Sequence, residues 1–113
     1  MIMKNFDAFQ ETIGGSFNRI ELLEEALTHR SYLNENSSWP HRNNERLEFL
    51  GDAVLELVIT DALYKNFQDK EEGDLTIFRA ALVNTKSLAV VAKHLGIDKE
   101  VLLSKGERKG FEG

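Results

Sequence analysis

From Asn44 to Phe67 the chain is free of proline and rich in Leu, Val and Ala, which predicts one long, uninterrupted helix. At about 100° per residue, Glu45, Glu48 and Asp52 fall in one stripe roughly 60° wide. Leu47, Leu50, Val54, Leu57 and Val58 gather on nearly the opposite side, so they are the expected core face. Glu48 and Asp52 stand one turn apart, about 6 Å along the axis. Like charges at that spacing weaken a helix, and a hard cation such as Mg²⁺, which takes carboxylate oxygens, would relieve the repulsion. A solvated helical face often carries the same pattern, and spacing alone does not choose between the two. Gly51, which costs about 1 kcal/mol against Ala inside a helix, suits a close approach by a backbone or ligand, or tight helix packing. Phe49 lies beside the acidic stripe and away from the core face. It is either an incidental exposed side chain or an aromatic anchor for a partner subunit.

The remaining sequence also reads as helix. Lys4 to Glu11 forms a short first helix, ended by Gly14-Gly15. A second covers Ile20 to His29, with Asn18 as its N-cap and Ile20, Leu23, Ala26 and Leu27 as its apolar stripe. Asn34 to Asn43, with the only proline, Pro40, is a polar loop. After a turn over Gln68 to Gly73, a helix runs from about Leu75 to Leu95 and stops at Gly96, and a short one covers Lys99 to Leu103. No strand-like alternation stands out, so the predicted class is all-α, a helical bundle. The charged, glycine-rich ending from Lys105 to Gly113 reads as a loop.

Composition narrows the chemistry. There is no cysteine, hence neither a disulfide framework nor a thiolate metal site. The opening Met1 to Phe6 lacks the apolar stretch of a signal peptide, and no run reaches the roughly 18 residues of a membrane span, so the expected location is the cytoplasm. The net charge of −5 argues against a nucleic-acid partner, unless a bound divalent cation reverses the local sign of the acidic stripe.

Asn44 through Leu55, N-E-R-L-E-F-L-G-D-A-V-L, resembles the signature motif of the ribonuclease III family. Ala26-Leu27-Thr28-His29-Arg30-Ser31 resembles the segment before that signature. Glu72-Gly73-Asp74-Leu75-Thr76 and Arg79 to Asn84 resemble the segment after it, and Leu102 to Glu107 resembles the approach to a second acidic motif. The resemblance spans about Ala26 to Glu107. It implies that residues 1–113 are the first part of an all-helical endonuclease domain. Such a domain acts as a homodimer and cleaves double-stranded RNA with Mg²⁺ (or Mn²⁺ in its place), leaving 5′-phosphate and 3′-hydroxyl ends in ribosomal and messenger RNA processing. Residue by residue, Glu48 matches a metal-binding glutamate and Asp52 a catalytic, metal-associated aspartate. Glu45 matches the first signature glutamate, near the RNA and the subunit interface, and Phe49 the aromatic that plugs a socket in the partner.

The family completes its site with an aspartate and a glutamate beyond the Gly106-Glu107 segment, and usually adds a double-stranded-RNA-binding domain. Neither is expected in this chain, so by itself it is expected to be inactive. Asp69 and Glu72, with the right separation, are read as solvated loop. Thr28, His29 and Arg30 are weighed as phosphate contacts against an ordinary helix end and a surface ion pair; no partner for His29 is identifiable, and His41 and His94 are read as surface residues. Two other readings stand beside this one: a non-catalytic ribonuclease-III-like RNA-binding or dimerisation domain, and a helical metalloprotein with a carboxylate site in its bundle.

Overall fold

The structure is a computed structural model, and it describes residues 5–112, with side chains to Gly110. It is all-α, with eight helices among the described residues, in the order α1 (Asp7–Ile13), α2 (Ile20–Ala26), α3 (Arg30–Glu35), α4 (Glu45–Asn66), α5 (Glu72–Leu82), α6 (Thr85–His94), α7 (Ile97–Glu100) and α8 (Lys105–Glu112). Among the described residues there is no strand, only an isolated parallel bridge between Thr28 and Leu102.

The elements depart from the sequence expectations where local chemistry overrides periodicity. The start of α1 expected at Lys4 lies outside the described residues; the helix runs on to Ile13 and ends on Gly14, whose φ of 78° is the left-handed conformation glycine adopts freely. The helix expected to reach His29 stops at Ala26, its N-cap is Arg19 in place of Asn18, and Ile20 and Ala26 are exposed. His29 then caps a new helix, its ring accepting the Ser31 N–H. The predicted Leu75–Leu95 helix is two, because Asn84 takes an extended conformation and its side chain accepts the Ser87 N–H as the N-cap of α6. The Lys105–Gly113 stretch, read as a loop, is helical to Glu112, its first turn held by Ser104 Oγ accepting the Glu107 N–H.

The core joins α1, α2, the α3–α4 loop and the segment after α7. Phe6, Phe9, Leu23, Leu27, Trp39 and Leu102 are buried together, with Ile13, Tyr32, Leu33, Ile97 and Val101 packed around them. At its centre Thr28 is fully buried, its hydroxyl donating to the Glu24 carbonyl (2.6 Å) and accepting from the Trp39 indole N–H (3.0 Å). Its backbone carbonyl accepts the Asn44 N–H (2.9 Å). The flanking residues bind the far end of the chain: Leu102 N–H donates to Leu27 O and His29 N–H to Leu102 O. Thr28 is therefore a packing and hydrogen-bonding hub, with no surface left for the phosphate role considered above. His41, expected at the surface, has a side chain only 16% exposed, stacked edge-on against Trp39, with Nε2 3.4 Å from the Glu24 carboxylate. A histidine beside a tryptophan finds cover that its own polarity does not forecast.

The long helix behaves differently. At 22 residues it is about 33 Å long, and it meets α2 near its start and α5 along its second half. Leu63, its one buried residue, and Thr60 face α5, and Phe67 tilts against Phe78 with ring centroids 5.5 Å apart. By angular count Leu63 continues the acidic side of the helix. The face expected to form the core is the open one: Leu50, Val54, Leu57 and Val58 are all more than half exposed. The helix has apolar residues on two sides and, among the described residues, covers only one. A radius of gyration of 16.6 Å, against roughly 13 Å for a compact domain of this length, reflects the same openness.

Replacing Thr28 by Val keeps the volume but leaves the Trp39 indole N–H without an acceptor in the core. The expected loss is about 1–3 kcal/mol, read from urea unfolding of the 113-residue chain. An unchanged midpoint at unchanged slope would show that the hub does not support the fold.

A candidate metal site on the long helix

The first turns of α4 are built by a division of labour between two asparagines. Asn43 Oδ1 accepts the Glu45 N–H (3.0 Å), satisfying one free donor at the helix start. Asn44, the N-cap by position, makes no side-chain cap. Its amide reaches back and donates to the Ala26 carbonyl (3.0 Å), an unsatisfied acceptor at the end of α2. The helix carrying the acids thus starts pinned, through side chain and backbone of one residue, to the α2–α3 corner.

The stripe predicted on α4 is present and continues one turn further, to Glu56. Glu45, Glu48, Asp52 and Glu56 are all exposed, and their surroundings divide them. Arg30, at the start of α3, reaches Glu45 (Nη1 to Oε1 3.6 Å). Arg79, from α5, reaches Glu56 (Nε to Oε1 3.6 Å) while donating to Thr60 Oγ1 (3.0 Å). Glu48 and Asp52 have neither hydrogen bond nor ion pair to their side chains among the described residues. The two carboxylates left without a counter-charge are the pair one turn apart, a spacing that costs a few tenths of a kcal/mol unless a cation intervenes. Their donor set of hard oxygens suits Mg²⁺ or Mn²⁺. No group of three or more metal-capable side chains gathers among the described residues, so the pair supplies part of a coordination shell and water or other ligands the rest.

Phe49 stands beside the stripe at 84% exposure, the most exposed of the large apolar side chains among the described residues. Open depressions of about 580 and 490 Å³ flank it, the first against Arg42, Arg46 and Glu25, the second against Asp52, Leu55 and Val83. A Cβ added at Gly51 would meet nothing within 4 Å among the described residues, so tight packing within the chain does not explain that glycine. Glu72 lies in the first turn of α5 and Asp69 in the preceding loop, both exposed. His29 does have a partner that the sequence did not disclose: Nδ1 lies 2.7 Å from Ser31 Oγ. That hydroxyl also accepts the Ser104 N–H (2.9 Å), which makes the pair a structural tie between α3 and the segment before α8. Glu56 and Arg79 were missed as site neighbours, although extending the angular count by one turn finds Glu56; the Arg79 contact depends on how α5 lies.

A family profile described as ribonuclease-III-like matches residues 19–113. A protein of Listeria innocua, Ribonuclease 3, is 46% identical over 107 residues, 95% of this chain and 47% of that protein. Ribonuclease 3 of Latilactobacillus sakei is 50% identical over 96 residues, 85% of this chain and 42% of that protein. The chain thus spans under half the length of these curated relatives. Among solved structures, a nuclease domain of ribonuclease III from Campylobacter jejuni, described for structural flexibility in a region involved in dimer formation, superposes with a TM-score of 0.82 at 41% identity. That match covers 96% of this chain and 71% of the other.

If Glu48 and Asp52 are the free cation ligands, Mn²⁺ added to the chain should broaden their backbone amide resonances first. Asp52→Asn should abolish that broadening. Equal broadening in the variant would assign the cation elsewhere.

Proposed function

The chain belongs to the ribonuclease III family, and from that membership we propose that it forms the first part of a catalytic domain that cleaves double-stranded RNA. The observation that carries the reading is the partition of the acidic stripe: Arg30 and Arg79 engage Glu45 and Glu56, and Glu48 and Asp52 are left free. Glu48 and Asp52 would hold Mg²⁺, or Mn²⁺ in its place, with Asp52 as the catalytic carboxylate. When bound, the ion supplies charge stabilisation at a phosphodiester and a more acidic water. The helix fixes the two carboxylates to each other, and the Asn44 tie fixes their helix to the corner that bears Arg30. Glu45, held at the α3 end of the stripe, marks the side from which RNA would approach. Duplex recognition would rest on A-form shape, 2′-hydroxyls and phosphates, with little reading of bases, and the products would carry 5′-phosphate and 3′-hydroxyl ends. Ribosomal and messenger RNA precursors in the cytoplasm are the proposed setting. No single helix among the described residues is long and apolar enough to cross a membrane.

The non-catalytic alternative gives no reason for keeping Glu48 and Asp52 unpaired at a repulsive spacing. The bundle metalloprotein needs inward ligands from several helices, and among the described residues no such group gathers. The proposed partner subunit is a second copy of the chain, with Phe49 as the anchor.

In a protein of the relatives' full length that carries this chain, Asp52→Asn is expected to abolish cleavage of a long RNA duplex in Mg²⁺ while binding persists. The 113-residue chain alone, with one pair of free carboxylates, is expected to leave the duplex uncut. Cleavage by the variant at the wild-type rate would remove Asp52 from the chemistry.

Phe49→Ala should leave the stability of the monomer nearly unchanged, because the ring is exposed, and weaken self-association by about 2 kcal/mol or more. Sedimentation over a concentration range measures it, and an unaltered association constant would overturn the anchor role.

A further inference from the structure

The N-cap residue of the longest helix does not cap it. Asn44 has a side chain suited to accept an N–H of the first turn, as Asn84 does for Ser87 at the start of α6. Its amide nitrogen instead donates to Ala26 O (3.0 Å), its backbone N–H donates to Thr28 O (2.9 Å), and Asn43 accepts the Glu45 N–H. An asparagine is the smallest side chain that offers both an amide donor for this reach and tolerance of a helix start. Asp and Ser are as good or better as caps, but neither can donate an amide proton to Ala26.

The consequence lies in what the two sides of the tie carry. Ala26 and Thr28 are the corner from which α3 departs with Arg30 in its first turn, and Asn44 is followed at once by Glu45 and, one turn on, by Glu48. Arg30 and Glu45 meet at 3.6 Å across this junction with both side chains well exposed, so their own attraction is too weak to hold the helices in place. The holding is done by the buried hub and the Asn44 amide. Glu48 and Asp52, in contrast, share one helix, and their mutual spacing does not depend on the tie.

We infer that Asn44 is a positioning residue, which fixes the acidic stripe of α4 against the cationic start of α3 through its amide bond to Ala26. This deepens the nuclease reading and rests on it: the carboxylates that would hold the ion and the cation beside the approaching phosphate must keep one geometry, and small displacements lower rates by orders of magnitude.

The test uses Asn44→Asp and Asn44→Ser in a protein of the relatives' full length that carries this chain. Both variants keep a capping oxygen and lose the amide donor. For cleavage of a long RNA duplex in Mg²⁺, kcat should fall roughly ten- to a hundredfold, with KM changed less than about threefold, while helical content by circular dichroism is retained. In the 113-residue chain the Mn²⁺ concentration that half-broadens the Glu48 and Asp52 amides should be unchanged in Asn44→Ser, because that pair is internal to α4; Asn44→Asp is left out of this readout, since it adds a carboxylate one turn before Glu48. Should Asn44→Asp unfold, Asn44→Ser decides. Variants that cut as fast as a competent wild type overturn the inference alone, and so does an equal loss of Mn²⁺ binding, which would make the role one of helix formation. A wild type that leaves the duplex uncut overturns the nuclease reading and the inference together.

Discussion

The arrangement depends on Thr28, a residue whose side chain never reaches solvent. Its hydroxyl is saturated inside the core, by the Trp39 indole on one side and the Glu24 carbonyl on the other, and a buried polar group so paired repays its desolvation where an unpaired one would not. With the side chain fixed, the backbone on either side is fixed too. The carbonyl of Thr28 takes the start of α4, and its neighbours Leu27 and His29 take Leu102 from the opposite end of the chain. Segments that are far apart in sequence therefore meet at three consecutive residues, Leu27 to His29. Ser31 and Glu35 extend the tie by accepting the N–H groups of Ser104 and Lys105, so α8 leaves from a position set by α3.

That anchoring explains why α4 is ordered although half its apolar surface is open. An isolated helix gains little from propensity alone, and this one is secured at its start by hydrogen bonds to the hub and over its second half by α5. Between these supports lie Glu48, Phe49 and Asp52, held by the helix and exposed among the described residues. The open apolar face of Leu50, Val54, Leu57 and Val58 is on the far side from Asp52, so any surface that covers it leaves the acids accessible.

Periodicity carried much of this but misassigned the face. The long helix, its limits to within a residue, and the acidic stripe follow from spacing, because consecutive turns of one helix need no knowledge of the rest of the fold. Which side of α4 packs is a different question. With Leu63 and Ile59 continuing the acidic side and Leu57 and Val58 the other, the helix is apolar on both, and the choice was made by α5, which docks through Phe78 and Arg79. The breaks at Leu27 and Val83 escaped for a related reason: each is imposed by a side chain, His29 or Asn84, that captures an N–H of the next helix and is hard to tell from a polar residue on a continuous one. Thr28 and His41 were placed outside because their types are usually found there; the Trp39 ring that encloses both is brought to them by a loop with no periodic signal.

The charge balance then bears on how an acidic chain can face a polyanion. Four acids run along the stripe, and if all four were uncompensated a phosphate backbone would be repelled along the first half of α4. Two arginines arriving from different elements change this: Arg30 from α3 and Arg79 from α5 oppose the first and last members and leave a charge of minus two at the centre. A divalent cation held there, as proposed, would bring the stripe and its two arginines to neutrality and remove the repulsion of a phosphate backbone. The net charge of −5 describes the chain as a whole, whereas a duplex pressed against α4 would meet a surface whose balance is set within a few ångströms by these six side chains.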